Sequence, residues 1–138
     1  ARICSIADIE NSQATTGMTP RGKICLPLSP DYDERPRQKV DFIQGKSART
    51  DYEVVRNNPD GTSDILLYPH TGRTHQLRVH CSHAHGLARP ILGDLLYGAY
   101  STASSNQVHR LHLHALSITF IHPTSETELT FTSSALSY

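Results

Sequence analysis

The spacing of apolar and polar positions predicts a hairpin of two long strands near the middle of the chain. Residues 47–55, SARTDYEVV, alternate in character, and one face is formed by Ala48, Thr50, Tyr52 and Val54. The turn cluster RNNPDGT follows, and residues 63–69, SDILLYP, are again apolar at their centre. The two runs therefore predict an antiparallel hairpin. Shorter strands are predicted at GKICLPL (22–28) and QKVDFIQG (38–45).

After this hairpin, the apolar positions recur with the spacing of a helix and no longer with that of a strand. In TGRTHQLRVHCSHA (71–84), one stripe is formed by Leu77, Cys81 and Ala84. Thr71 or Thr74 is predicted to cap the start of this helix, and Gly86 to end it. Alternation returns in LHALSITFIHP (113–123), with Leu116, Ile118 and Phe120 on one side, and in ELTFT (128–132), with Leu129 and Phe131 predicted to point inward.

These elements predict an α+β fold, a mostly antiparallel mixed sheet with one or two packed helices. A chain of 138 residues corresponds to a single domain. Residues 1–20 show no sustained period, and Thr19-Pro20 interrupts any helix there. We therefore predict that residues 1–20 are a leader and that the fold comprises residues 21–138.

Charge and cysteine content narrow the function classes. Thirteen basic and thirteen acidic residues cancel, so total charge indicates no nucleic-acid partner. Residues 21–49, however, hold seven basic residues against four acidic ones, which leaves a local positive strip. Three cysteines without a Cys-x-x-Cys pair exclude a cysteine zinc site. No run approaches the ~20 apolar residues of a membrane span, so we expect a reducing, cytoplasmic compartment.

Candidate chemistry concentrates in PHTGRTHQLRVHCSHAHG (69–86), which holds two arginines and five histidines. Arg73 and Arg78 would lie on different sides of the predicted helix, so one would face solvent or a phosphate and the other a pocket. The alternative is that both are surface residues whose stems pack on the core. The histidines lack the convergent carboxylate-containing set of a metal centre, so no metal is expected. The sequence shows no nucleophile triad and no glycine-rich phosphate loop.

Four blocks, GRTHQLRVH, PILGDLLYG, RLHLHA and a closing HP strand pair, occur in one order over about residues 21–132. In order and spacing they resemble the C-terminal half of the catalytic domain of RluA-like pseudouridine synthases. The resemblance implies half of a sheet-based catalytic fold with an RNA-binding cleft. It also implies isomerisation of uridine to pseudouridine in ribosomal or transfer RNA, with no cofactor and no membrane partner.

The resemblance also assigns roles to single residues. Arg78 matches the active-site arginine that pairs with a catalytic aspartate. The matching cleft or RNA-contact positions are Arg73, His75 and Gln76, and RNA phosphates would meet the strip residues Lys23, Arg35, Arg37 and Lys39. The GD-x-x-YG block, with Asp94 and Tyr97, and the LHA block, with His114, are expected to be architectural.

The chain lacks the two motifs of the family pattern that would hold the reacting residues. It contains no His-Arg-Leu-Asp, and HRLH at 109–112 belongs to a later block. No Lys-x-Tyr-x-Ala precedes GKICLPL. We therefore predict a C-terminal segment, inactive alone, whose aspartate and tyrosine lie elsewhere. The alternatives are a non-catalytic RNA-binding remnant and a histidine-based metal protein. An exposed sheet edge would also allow self-association.

Overall fold

A computed structural model describes residues 1–3, 19–98 and 110–134. Within them the predicted α+β class is confirmed, because the strands pair antiparallel and one helix packs among them. The elements are β1 (Arg2–Ile3), β2 (Arg21–Cys25), β3 (Leu28–Pro30), β4 (Gln38–Val40), β5 (Arg49–Asn57), β6 (Ser63–Pro69), α1 (Gln76–Ser82), β7 (Ser117–Ile121) and β8 (Glu128–Thr132). Among the described residues, no helix combines the length and apolarity that crossing a membrane requires.

The central sheet has the strand order β1-β6-β5-β2. The predicted hairpin is confirmed as β5 and β6, which pair from Thr50↔Pro69 to Asn57↔Ser63 with a bulge after Val54. Tyr52 is buried, as the alternation predicts for its face. The buried core includes Ile3, and Arg2 and Ile3 of the predicted leader form strand β1 of the sheet. Residues 4–18 of that leader lie outside the described part of the chain.

The first two predicted strands are wrong in their extents. The segment predicted as one strand at 22–28 divides at Pro27 into β2 and β3, which belong to different sheets. The strand predicted at 38–45 ends at Val40, because the side chain of Asp41 accepts hydrogen bonds from the amides of Ile43 and Gln44, both at 2.9 Å. After this turn the chain returns to the start of β3, where Lys46 and Leu28 form an isolated antiparallel bridge.

Helix α1 is shorter than predicted and is not capped by Thr71 or Thr74. Its N-cap is His75, which lies in the left-handed region at φ 52° and makes no side-chain capping bond. Thr71 instead accepts from the amide of Arg49 at 3.0 Å and donates to Gln76 at 2.7 Å. Gly86 lies beyond the helix as predicted, and any Cβ there would clash with the carbonyl oxygen of His80.

The β7–β8 hairpin forms a separate two-stranded sheet. The predicted strands are confirmed, but the expectation that Leu129 and Phe131 point into a core is wrong for Phe131, which is 59% exposed. The alternation places the apolar side chains on one face, yet no described element covers that face.

Candidate functional site

Arg78 on α1 is held by a carboxylate from the loop that follows the helix. Its Nε donates to Oδ2 of Asp94 at 2.9 Å and its Nη2 to Oδ1 at 2.7 Å, a two-point pair of the kind guanidinium and carboxylate groups form best. The side chain of Asp94 is fully buried and that of Arg78 is 18% exposed. Arg78 therefore lies in a partly enclosed position with a fixed orientation, and Nη1 has no hydrogen-bond partner among the described residues.

Both carboxylate oxygens of Asp94 accept hydrogen bonds. Its Oδ1 also accepts from the amides of Leu96 and Tyr97, at 3.0 and 3.1 Å. Burial alone would raise the pKa of Asp94, but the hydrogen bonds from Arg78 and these two amides outweigh burial and hold that pKa below its ordinary value. A carboxylate that is ionised, buried and bonded at both oxygens is suited to orienting Arg78 and is not free to attack a substrate.

Tyr97 joins the helix to the β3–β4 hairpin. Its hydroxyl accepts from the amide of Gln38 at 2.7 Å and lies 2.8 Å from Nδ1 of His75. The guanidinium carbons of Arg78 and Arg37 lie 5.2 and 5.5 Å from the centre of its ring, within cation–π range. Arg37, His75 and Arg78, all predicted site residues, are thus brought together around one phenol ring.

Burial is the main reason that the pKa of His75 lies below its ordinary value. Burial lowers the pKa of His75, and the nearby cation of Arg78 lowers it further. Burial also raises the pKa of Tyr97, although the hydrogen bond from Gln38 opposes that effect. Near neutral pH the cluster therefore holds two guanidinium groups, each paired with a carboxylate, next to uncharged histidine and tyrosine groups; Arg78 pairs with Asp94 and Arg37 with Glu34.

Gln76 was predicted as a cleft residue, and the structure corrects this. It is 3% exposed, and its amide nitrogen donates to the carbonyl of Arg49 and the hydroxyl of Thr50, both at 3.0 Å. Its amide oxygen accepts from Thr71 at 2.7 Å and from the amide of Arg73 at 3.1 Å. No hydrogen-bonding atom remains for RNA, so Gln76 ties α1 to β5.

We expect Gln76→Leu to lower the free energy of unfolding by about 2 kcal/mol, because it leaves buried polar partners unsatisfied. Urea unfolding followed by circular dichroism measures the change. Gln44→Leu is the matched control, since Gln44 is exposed and its side chain makes no hydrogen bond within the described part of the chain, whereas its backbone amide donates to Asp41. A variant at position 76 that unfolds like the native chain but loses RNA affinity would contradict this assignment.

The other predicted RNA contacts lie at the surface. Arg73 precedes the helix, is exposed, and donates from Nε to the carbonyl of Ser47 at 3.1 Å. Lys23 on β2 and Lys39 on β4 are exposed. Arg35 is exposed in the loop between β3 and β4, with its guanidinium 5.1 Å from the ring centre of Tyr32. Among the described residues, no hydrogen bond or ring contact joins these side chains to Tyr97, and all are open to solvent.

The side chains of His80 and Cys81 on α1 are buried in the core. Both ring nitrogens of His80 are bonded, Nδ1 with Thr50 at 2.9 Å and Nε2 with the carbonyl of Leu26 at 3.0 Å. Burial raises the pKa of Cys81 to about 12. The residues described by the structure include no group of three or more potential ligands placed to hold a metal ion.

Comparison with known proteins identifies the family. The family model described as RNA pseudouridylate synthase matches residues 6–83, more than half of the chain. The chain belongs to this family. The predicted membership of the RluA-like pseudouridine synthase family is therefore confirmed. The matched range begins within the segment 1–20 that we predicted to be a leader.

Several members of the pseudouridylate synthase family are similar to most of this chain but to only half of their own length. The dual-specificity RNA pseudouridine synthase RluA of Escherichia coli (strain K12) is 44% identical over 110 residues, 80% of this chain and 48% of that protein. The RluA protein of Pasteurella multocida is 42% identical over 111 residues, with the same coverage. The structure of human RNA pseudouridylate synthase domain containing 1 covers 98% of this chain and 52% of its own, at 29% identity and a TM-score of 0.71.

The residue patterns did not predict the contacts of Tyr97. Tyr97 was expected to be architectural, yet it contacts three of the predicted site residues. Its only sequence signal is its place in the GD-x-x-YG block, three residues after Asp94. That spacing lets the Asp94 carboxylate bind the amide of Tyr97 while the Tyr97 ring lies beside Arg78.

Proposed function

We propose that this chain supplies the arginine of a pseudouridine synthase active site, and that this arginine is Arg78. The reaction would break the bond between N1 of uracil and C1′ of ribose and join C5 to C1′. A proton leaves C5 and N1 gains one, so the conversion needs no cofactor. The substrate would be a uridine in ribosomal or transfer RNA, turned out of its stack to reach the site. By this proposal the chain alone does not make pseudouridine.

The single observation that carries the proposal is the geometry of Arg78. Asp94 fixes two of its guanidinium nitrogens, and Nη1 has no hydrogen-bond partner among the described residues. A second carboxylate that reached Nη1 would be held ionised and oriented by a charge that is itself immobile. Preorganised charge of this kind stabilises reacting groups without reorganisation during the reaction.

Asp94 does not fit the role of the reacting carboxylate. Both of its oxygens are bonded, and the side chain has no exposed surface. The reacting aspartate would therefore come from a segment outside this chain. The fact that the chain spans about half the length of the curated relatives it matches supports this proposal.

A chimera tests the proposal. This chain replaces the matching region of Escherichia coli RluA, and pseudouridine in uridine-containing RNA is measured for the chimera and for this chain alone. We expect the chimera to form pseudouridine and the isolated chain to bind RNA without turnover. Turnover by the isolated chain, abolished by Asp94→Ala, would contradict the assignment of the nucleophile.

RNA binding is expected to depend on the exposed cations of the strip. We predict that Lys23→Gln and Lys39→Gln each reduce the slope of log affinity against log salt concentration by about 0.7 to 1, because each removes one phosphate contact. Filter binding between about 50 and 200 mM salt measures this slope. Arg56→Gln, which removes a charge outside the strip, should leave the slope unchanged. Equal slopes for all variants would exclude these contacts.

The alternative function is a non-catalytic RNA-binding remnant. The hydrogen bonds of Asp94 favour this alternative. They occupy both of its oxygens, and the described residues place no other carboxylate against Arg78. This alternative predicts RNA binding by the chimera with no pseudouridine, whereas lack of RNA binding at low salt excludes it. In both cases we infer a cytoplasmic location, consistent with free thiols at Cys25 and Cys81.

A further inference from the structure

The hydroxyl of Tyr97 has two neighbours, and the hydrogen-bonding role of one decides that of the other. The amide of Gln38 donates to this oxygen at 2.7 Å, and Nδ1 of His75 lies 2.8 Å from it. A backbone amide can only donate, so the phenol proton needs its acceptor elsewhere. Among the described residues, Nδ1 of His75 is the acceptor within hydrogen-bond distance. Tyr97 therefore donates to Nδ1, and a neutral His75 carries its own proton on Nε2.

The surroundings of the two rings favour this direction of donation. Burial raises the pKa of Tyr97, so the hydroxyl keeps its proton and can donate it. Burial lowers the pKa of His75, and the charge of Arg78 lowers it further, so Nδ1 stays free to accept. The rings lie 5.6 Å apart at an interplanar angle of 77°. The pair is thus held edge to face, with each proton in a defined place.

The backbone of His75 indicates that its imidazole is needed at this position. His75 lies in the left-handed region, at φ 52° and ψ 17°, and its side chain makes no capping bond to the helix. Glycine or asparagine adopts this backbone more readily than a bulkier residue does. The imidazole is half-buried, its Nε2 is not enclosed, and no described residue bonds that nitrogen. The N–H at Nε2 is therefore an oriented donor that is open to a ligand.

We propose that Tyr97 is a positioning residue that fixes His75 as a neutral donor at Nε2, and that this N–H binds an oxygen of the RNA beside Arg78. His75 and Arg78 lie against the same phenol ring, so the donor borders the site proposed for the arginine. The oxygen is a carbonyl of the target uracil or a phosphate, both of which accept hydrogen bonds. A donor that cannot become an acceptor rejects an amino group in the same place. This inference rests on the proposed function, since its ligand is RNA.

The position of the ring proton is measured on the 138-residue chain by nitrogen-15 NMR, in which protonated and unprotonated ring nitrogens have well-separated shifts. We expect Nε2 of His75 to be protonated and Nδ1 unprotonated at neutral pH, with the signals assigned by their loss in His75→Gln. Tyr97→Phe should allow both tautomers to appear. Tyr68→Phe is the control, since Tyr68 is 47% exposed and its hydroxyl makes no hydrogen bond within the described part of the chain. A proton on Nδ1 in the native chain overturns the inference.

Two substitutions at position 75 separate a donor from a merely structural side chain. The amide nitrogen of glutamine can take the place of Nε2, whereas that of asparagine reaches only the place of Nδ1. We expect His75→Gln to bind RNA nearly as tightly as the native chain and His75→Asn to bind about threefold to tenfold more weakly, the loss of one hydrogen bond. A structural role predicts the reverse order, because asparagine accepts the left-handed backbone more readily. If either variant does not fold, the comparison of Tyr97→Phe with Tyr68→Phe replaces it, with RNA affinity lost in the first alone.

An RNA that lacks the base at its single uridine position identifies the oxygen. If Nε2 binds the uracil, the difference between the glutamine and asparagine variants disappears with this abasic RNA, and if Nε2 binds a phosphate the difference persists. Equal affinities of the two variants for the intact RNA overturn this inference and leave the proposed function standing. A chimera that makes no pseudouridine, while the two variants still differ in RNA affinity, contradicts the proposed function alone.

Discussion

Asp94→Asn is expected to lower the free energy of unfolding by about 3 kcal/mol, because it leaves the largely buried guanidinium of Arg78 without a compensating charge. The carboxylate it replaces is fully buried and binds Arg78 at two points. An asparagine keeps the shape, and its oxygen can still accept from the amides of Leu96 and Tyr97. Its NH2 group would face Nε of Arg78, so the loss reports the charge together with that one hydrogen bond. Urea unfolding of both proteins at neutral pH measures the difference.

The same pair predicts a pH dependence with a defined sign. The folded-state pKa of Asp94 lies below its ordinary value of 3.8, so its contribution to stability is present above that value and decreases as the pH falls below it. The difference between the native chain and the asparagine variant should therefore shrink in acid. Asp51→Asn is the matched control, because Asp51 pairs with Arg49 at the surface and should have a far smaller effect. A difference that grows as the pH falls would contradict the sign.

Arg78→Lys is expected to reduce pseudouridine formation by the chimera about a hundredfold, the loss typical of removing one preorganised donor from a reacting site. A lysine keeps the charge but loses the planar fork, so it cannot bind Asp94 at two points and present a further donor in a fixed direction. The measurement is turnover at saturating RNA, with RNA affinity determined separately. We expect the loss in turnover and little change in affinity.

The control for this change is Arg49→Lys, which makes the same substitution in an arginine that is exposed and bonded to a surface carboxylate. It should leave turnover unchanged. If Arg78→Lys and Arg49→Lys behave alike, the guanidinium at position 78 has no special part in the chemistry. If Arg78→Lys weakens RNA binding to the same degree as turnover, Arg78 is a phosphate contact.

The strands were predictable where the local pattern is strong. The alternation at 47–55 and the apolar centre of 63–69 predicted a hairpin, which formed close to the predicted bounds. Alternation likewise located β7 and β8. Period alone does not say whether an apolar face has a partner, so the burial of Phe131 was predicted wrongly. The helix was predicted too long, because the left-handed backbone of His75 is a feature that periodicity does not detect.

The candidate site was predictable only in part, because its contacts are long-range. Arg78 and Asp94 are 16 residues apart, and Gln76 bonds Thr50 26 residues away. A motif shows that such residues belong together, but it does not distinguish a buried amide from one in a cleft. For this reason Gln76 was assigned to RNA and Tyr97 to architecture, whereas the geometry makes Gln76 the structural residue and Tyr97 the contact of Arg78.

The burial of Cys81 has a consequence for experiments on this chain. Its side chain is fully buried beside Ile3, Ile65 and Ile91, and its pKa of about 12 leaves almost no thiolate at neutral pH. Alkylating reagents react with exposed thiolates, so they reach this sulfur only after the surrounding core has opened. The alkylation rate at Cys81, located by mass spectrometry, therefore measures how often strands β1 and β6 separate from the helix.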